Sequence, residues 1–123
     1  MQNRTSHAEP TPVNVVIVTM DTHLSSAVDR ARVLLKQQIP GLNLTLHAAS
    51  EWGANADGLD HCLDDIAKGD IVIATMLFME DHFLPILPAL KARRDHCDAM
   101  VCAMSASEVV KLTKIGKFDM DKP

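Results

Sequence analysis

Aromatic residues are scarce in this chain, which has one tryptophan, three phenylalanines and no tyrosine. So few rings cannot form the stacking platform on which single-stranded nucleic-acid binding proteins hold bases. The net charge of −4 also disfavours nonspecific nucleic-acid binding, because that binding depends on lysine and arginine neutralising phosphates. We therefore expect no nucleic-acid partner.

Phosphate-binding and nucleophile motifs are missing as well. The chain has no GxGxxG and no GxxxxGK[ST] pattern, so neither a dinucleotide nor ATP has a recognisable glycine-rich cradle. Ser105 and Ser107 lack the flanking glycines of a nucleophile elbow. The three cysteines form no CxxC pair, which argues against a zinc knuckle or a disulfide framework and makes a reducing cytoplasm the expected setting. We therefore predict no catalytic residue and no metal site.

Long apolar runs are absent too. No segment approaches the roughly 20 apolar residues that a membrane-spanning helix needs, and the N-terminus lacks the apolar core of a secretory signal. We expect residues 1–12 to be a disordered lead-in. Residues 13–123 are expected to form one α/β domain, because 123 residues with 47% apolar content are enough to bury a real core.

Four apolar or alternating segments predict strands, and helical spacing of apolar residues predicts a helix after each. The predicted strands are Val13–Met20, Leu42–Leu46, Asp70–Phe78 and Asp98–Met104. The predicted helices are His23–Gln38, Asp57–Lys68, Pro88–His96 and Ser105–Gly116. Asp21 or Thr22 is expected to cap the first helix, Gly69 to close the second, and Ser105 with Glu108 to form a capping box on the fourth.

Strands that alternate with helices predict a parallel sheet with right-handed crossovers. The second strand has one polar face and belongs at an edge, so we predict a three-layer, flavodoxin-like or Rossmann-like sheet with strand order 2-1-3-4. The fourth strand, Asp98–Met104, is apolar on both faces, whereas natural edge strands are short, charged or interrupted by proline. We therefore expect a truncated sheet whose last strand is covered by another polypeptide, so that residues 13–123 are the front part of a larger protein.

Polar side chains follow the first and third predicted strands, where strand order reverses and ligands bind in such sheets. They are Asp21, Thr22, His23, Glu80, Asp81 and His82. Carboxylates and imidazoles suit a divalent cation or proton transfer, but negative charge near a helix N-terminus is also favourable without any ligand. Trp52 either closes the core or flanks an interface. These seven residues are the candidate ligand or interface surface.

Four segments of the chain resemble the porphyrin-binding large subunit of magnesium chelatase. They are VVIVTMDTHL (Val15–Leu24), LHAASEW (Leu46–Trp52), DIVIATMLFMEDH (Asp70–His82) and RRDHCDAMVCAMSASEVVKLTKIGKFDM (Arg93–Met120). The segments occur in the family's order and cover most of the chain from Val13 onward. The chain is similar to the N-terminal domain of that large subunit, whose family is related to the cobaltochelatase large subunit.

The resemblance implies a function for the whole large subunit. Magnesium chelatase is a ligase that forms nitrogen–metal bonds: it inserts Mg²⁺ into protoporphyrin IX for chlorophyll and bacteriochlorophyll biosynthesis in photosynthetic organisms. The large subunit binds protoporphyrin IX and Mg²⁺, and its partners are an AAA+ ATPase subunit, which hydrolyses ATP, and an integrin-like subunit. The resemblance implies that this fragment binds no cofactor itself, is structural or gating, and contacts the remainder of the large subunit.

Two other functions are compatible with the residues. The segment Asp21-x-His23-x-x-Ser26 is similar to the D-x-H-x-x-G loop whose histidine ligates cobalt in cobalamin-binding flavodoxin-like domains, with Ser26 in place of the glycine. A noncatalytic interaction module is the third possibility, in which the exposed fourth strand recruits a partner by edge pairing.

Overall fold

A computed structural model describes residues 12–120 of the chain. The strands are β1 (Val13–Thr19), β2 (Leu42–Ala48), β3 (Ile71–Thr75), β4 (Ala99–Ala103), β5 (Lys114–Ile115) and β6 (Phe118–Asp119). The helices are α1 (Ser25–Gln38), α2 (Ala56–Lys68), α3 (Glu80–Phe83), α4 (Leu87–Arg93) and α5 (Ser107–Val110), with a 3-10 turn at Ala49–Glu51. All but one of the residues of the predicted lead-in, 1–12, lie outside the described residues.

The strands form one sheet in the order β2-β1-β3-β4-β5-β6. β1 to β4 are parallel, and β5 and β6 are antiparallel additions next to β4. The predicted α/β class and the order 2-1-3-4 are confirmed. Right-handed crossovers place α1 on one face of this sheet and α2 with α4 on the other, because the chain moves in opposite directions along the sheet before and after β2.

The core lies between the sheet and the layer formed by α2 and α4. Alternate side chains of the three central strands point into it, and all are nearly inaccessible to solvent: Val16, Val18, Val72, Ala74, Met100 and Cys102. Cys62 and Ile66 of α2 and Leu90 of α4 pack against them. Burying each large aliphatic side chain contributes about 1.5–3 kcal/mol, so this layer is the main source of stability.

Helix α1 packs differently from the sequence prediction. It contacts mainly β2, and Val28 is its buried side chain. The helical spacing of Leu34 and Leu35 predicts that they face the core, but they are 62% and 37% exposed. The reason is position: β2 is the outermost strand on that side, so the outer part of α1 has no sheet beneath it.

The edge of β4 also differs from the prediction. β5 pairs with it at Ala99 and Met100, and Thr113 Oγ1 accepts from Cys102 N and donates to Cys102 O, both at 2.9 Å. The expectation of an uncovered β4 edge is therefore wrong within the described residues. Gly116, with φ of +58°, turns the chain between β5 and β6, and such two-residue strands leave no periodic signal in the sequence.

The predicted N-caps of α1 and α5 are not formed, whereas Gly69 is the C-cap of α2, as predicted. Leu24 is at the N-cap of α1 without a side-chain hydrogen bond, because the Asp21 carboxylate bonds His23 instead. Ser105 lies outside α5, which begins after Ala106. The Ser105 hydroxyl accepts from Leu77 N at 3.0 Å and donates to Ala103 O at 3.1 Å, so it joins two loops rather than capping a helix.

Candidate functional site

The Asp21–His23 loop follows β1 at the carboxyl edge of the sheet. The backbone N–H of His23 donates to Asp21 Oδ1 at 3.0 Å, and the His23 Nδ1 atom contacts the same oxygen. These two hydrogen bonds, the backbone one first, lower the pKa of the Asp21 carboxyl below its ordinary value. Asp21 and His23 are therefore partners of each other, and Thr22 accepts from Ser25 N through its carbonyl oxygen at 2.9 Å.

The Glu80–His82 segment begins the one-turn helix α3, which follows β3. Met79 is at its N-cap, and Glu80 and Asp81 lie in its first turn with exposed side chains. The Nδ1 atom of His82 is different, since it is buried and has no hydrogen-bond partner within residues 12–120. Polar atoms in such positions are uncommon in folded proteins, so His82 is the unusual member of this group.

A cleft of about 700 Å³ joins this segment to the 3-10 turn that follows β2. One wall contains Ala49, Ser50, Trp52, Gly53 and Leu59, and the other contains Glu80, Asp81, His82, Leu84 and Pro85. Trp52 is 8% exposed and belongs to the hydrophobic core, as the core-closure interpretation predicted. The structure therefore brings Trp52 and Glu80–His82 together at one opening.

The Asp21–His23 loop is not part of this cleft, because none of its three residues is among the described residues that line it. The sequence predicts one candidate surface made of the loops after β1 and β3 together with Trp52. The residues opposite the Glu80–His82 segment instead come from the connection between β2 and α2, with Leu59 from α2 itself. Within the described part of the chain, no cluster of three or more histidine, cysteine, aspartate or glutamate side chains could hold a metal ion.

Two methionines with left-handed backbone conformations end the central strands. Met76 follows β3 with φ of 63°, and Met104 follows β4 with φ of 49°. Met76 N donates to Met104 O at 2.8 Å, and Ala106 N donates to Leu77 O at 2.9 Å. The prediction that the third strand continues to Phe78 is therefore wrong, because the chain turns at Met76.

This turn exposes large apolar side chains beside the cleft segment: Phe78 is 56%, Met79 58% and Met104 68% exposed. Phe78 and Met104 lie at the ends of predicted strands, and the apolar pattern gave no sign that they are exposed. Methionine carries no preference for positive φ, so the sequence contained no signal for the two turns.

The cysteine thiols are not activated. Burial raises the pKa of Cys62 and of Cys102 to about 12, and burial also raises the pKa of Cys97. Because the thiolate is the nucleophile and the metal-binding form, these cysteines act as small apolar side chains. None of the helices in residues 12–120 combines the length and apolarity that crossing a membrane requires.

Comparison with known proteins identifies relatives of this chain. A family model described as a domain of unknown function, DUF3479, matches residues 14–123. The H subunit of magnesium chelatase from Cereibacter sphaeroides is 42% identical over 110 residues, which are 89% of this chain and 9% of that protein. Its counterpart from Rhodobacter capsulatus is 38% identical over 114 residues, or 93% of this chain and 10% of that protein.

A plant relative, the chloroplastic magnesium-chelatase protein ChlH of Oryza sativa subsp. indica, is 26% identical over 113 residues, 89% of this chain and 8% of that protein. The chain thus spans about a tenth of the length of the curated relatives that it matches. The chain belongs to the DUF3479 family and is homologous to the N-terminal region of the magnesium-chelatase H subunit, the large subunit of that enzyme.

Proposed function

We propose that this chain is a noncatalytic, architectural domain of the porphyrin-binding large subunit of magnesium chelatase, where it helps to shape or gate the tetrapyrrole-binding part. The observation that carries the proposal is the match of about nine-tenths of this chain to that large subunit at 38–42% identity. Insertion of Mg²⁺ into protoporphyrin IX would then be the work of the whole enzyme in chlorophyll or bacteriochlorophyll synthesis, in the cytoplasm.

The chemistry of the described residues supports a noncatalytic role. Burial raises the pKa of all three thiols, the carboxylates Glu80 and Asp81 are exposed, and residues 12–120 contain no cluster able to hold a metal ion. In this proposal protoporphyrin IX and Mg²⁺ bind to other parts of the large subunit. The partner subunits are an AAA+ subunit, which hydrolyses ATP, and an integrin-like subunit.

The cleft between Trp52 and Glu80–His82 is the proposed contact surface of the domain. The unpartnered Nδ1 atom of His82 supports this, because a buried polar atom gains a full hydrogen bond when a partner supplies the missing donor or acceptor. Exposed carboxylates at the rim suit polar or basic groups on that partner. We propose the remainder of the large subunit as the partner.

A porphyrin titration of the chain tests the first part of this proposal. Trp52 is the one tryptophan and forms a wall of the cleft, so its fluorescence would report a tetrapyrrole bound there. We expect protoporphyrin IX to cause no saturable quenching of the Trp52 fluorescence and no shift of its own Soret band. N-acetyl-tryptophanamide is the control for nonspecific quenching. Saturable quenching at one porphyrin per chain would show a self-contained tetrapyrrole site and contradict the proposal.

Matched triple variants test the contact surface in a chimeric Cereibacter sphaeroides large subunit, in which residues 12–120 of this chain replace the matched segment. The cleft variant is Glu80→Gln/Asp81→Asn/His82→Gln. The control is Asp60→Asn/Asp64→Asn/His61→Gln, which changes exposed side chains of α2. We expect the cleft variant to lower the chelatase rate by roughly fivefold or more, the low end of typical coupling between sites, with unchanged porphyrin affinity. Equal losses in both variants would contradict the assignment.

Cobalamin binding is the second candidate function. The observation that favours it is that the partly exposed His23 imidazole contacts the Asp21 carboxylate, and such a contact orients metal-ligating histidines. Hydroxocobalamin added to the chain should shift its visible spectrum if His23 ligates cobalt, and the His23→Ala variant should abolish the shift. An unchanged spectrum with the original chain would exclude this candidate.

A further inference from the structure

The two faces of the sheet differ in their coverage. Alternate residues in the central part of β1, β3 and β4 face α2 and α4 and are buried. The intervening residues face the side of α1 and, apart from the buried Thr19 at the end of β1, are at least partly exposed. We define the open face as the side chains of Ile17, Ile71, Ile73, Val101, Ile115 and Phe118. The strand register aligns Ile17 with Ile73, Ile73 with Val101, and Ile115 with Phe118.

The open face is apolar throughout and contains no charged side chain. Ile115 is 46% and Phe118 53% exposed, and both are absent from the core cluster along with Ile73 and Val101. Parallel strands that are apolar on both faces occur in sheets with both faces covered. In the part of the chain that the structure describes, α1 is the helix on this side, and its contacts are mainly with β2.

The dimensions of the open face match one helix. Neighbouring strands lie about 4.8 Å apart, so β1 and β4, which flank β3, are separated by about 10 Å. A helix with its side chains is about 10–12 Å wide. α1 over β2 bounds this space on one side, and the exposed Ile115 and Phe118 side chains of the β5–β6 hairpin bound it on the other.

We propose that the open face binds one amphipathic helix through an apolar stripe, and that the polypeptide of the large subunit outside the matched segment supplies this helix. The inference rests on the proposed function, because the proposed function places this chain within that large subunit. Relatives about ten times longer than the matched segment contain ample polypeptide for it. We propose a helix rather than a second sheet because α1 already packs on this face, and a second helix beside it would continue the same layer.

Substitutions at two adjacent β4 residues test whether the open face is a surface in the chain alone. Val101 belongs to the open face, and Met100 points into the core with 0% exposure. We expect Val101→Lys to change the melting temperature by less than about 5 °C and to reduce ANS fluorescence at least twofold. Met100→Lys, the matched control, should abolish cooperative unfolding. Loss of cooperative unfolding in Val101→Lys would show that this face is internal core and overturn the proposal.

Photocrosslinking identifies the occupant. The photoreactive residue benzoylphenylalanine replaces Val101 in the large-subunit chimera described above, and crosslinked peptides are mapped by mass spectrometry. We expect crosslinks to one segment outside the matched region of the same polypeptide, at residues three or four apart as on one helix face. Crosslinks to residues two apart, to a second copy, to another subunit, or to nothing would each overturn the proposal.

The same crosslinking position in the isolated chain, at increasing concentration, separates a second copy from a helix of the large subunit. A concentration-dependent crosslinked dimer, with a matching mass by light scattering, would favour the second copy. The crosslinking pattern requires neither porphyrin nor chelatase activity. The porphyrin titration and the chelatase rates therefore test the proposed architectural role, and the crosslinks test the helix assignment separately.

Discussion

Two buried threonines show how strongly side-chain hydrogen bonding depends on position. Thr19, at the end of β1, is fully buried, and its Oγ1 atom has no hydrogen-bond partner within residues 12–120. Thr113, which is 7% exposed, bonds both the N–H and the C=O of Cys102. The same side chain is thus unsatisfied at one site and holds the β4 edge at the other.

Replacing each threonine by valine tests this contrast. Thr19→Val removes an unpaired buried hydroxyl without changing the shape of the side chain, so we expect the free energy of unfolding to rise by about 1 kcal/mol. Thr113→Val leaves two buried backbone groups of Cys102 unpaired and should lower the free energy of unfolding by about 2 kcal/mol. Urea denaturation measures both values. Equal changes in the two variants would contradict the assigned hydrogen bonding.

At the scale of elements, close packing explains why the residue that ends α2 is a glycine. A Cβ atom on Gly69 would lie 2.8 Å from Val72 Cγ2 and 3.2 Å from Val16 Cγ2. The φ angle of Gly69 is −67°, so this C-cap does not have the left-handed conformation in which glycine often ends a helix. The glycine is required by the close approach of the chain to two buried valines as it enters β3.

Alanine substitutions at two glycines test this steric reason. Gly69→Ala should lower the free energy of unfolding by about 1–3 kcal/mol, the usual cost of overpacking a filled core. Gly53→Ala is the matched control, because a Cβ atom there would meet nothing within 4 Å. We expect it to be neutral or to stabilise the chain by up to about 1 kcal/mol. A neutral Gly69→Ala variant in thermal or urea unfolding would show that the core can rearrange.

The elements also show what the sequence could predict. β1 to β4 were predictable because runs such as Val13–Thr19 are continuous and β-branched, and the order 2-1-3-4 followed from the polar face of β2. The β5–β6 hairpin was not predictable, since strands of two residues have no period. The same holds for the cleft: Trp52 and Glu80–His82 could be singled out as polar or aromatic loop residues, but their meeting depends on turn geometry that residue type does not encode.

At the scale of the whole molecule, the buried apolar side chains form one contiguous cluster. Cys62 of α2 and Cys102 of β4 are both buried in it, and burial raises the pKa of each thiol to about 12. Cys97 lies partly exposed at the margin of the same cluster. Cys97 therefore reports on the margin of this core, and Cys62 and Cys102 report on its interior.

Maleimide labelling followed by mass spectrometry tests whether this cluster opens cooperatively. In the folded chain we expect Cys97 to react first, and Cys62 and Cys102 to react at least 100-fold more slowly and at one common rate, because both require global opening. The Cys97→Ser variant should lose only the fast phase. Faster labelling of Cys102 than of Cys62 would show that the hairpin side of the sheet opens separately from α2.

Hydrogen bonds join the segment just after β3 to the segment just after β4. Met76 and Leu77 are tied to Met104, Ser105 and Ala106 by three hydrogen bonds, and the chain continues from Leu77 directly into the α3 turn that carries His82. The loops after these two strands are thus connected to each other by hydrogen bonds as well as by packing through the strands. We expect a partner that displaces the segment leading into α5 to displace the rim of the cleft as well, because these hydrogen bonds join the two loops.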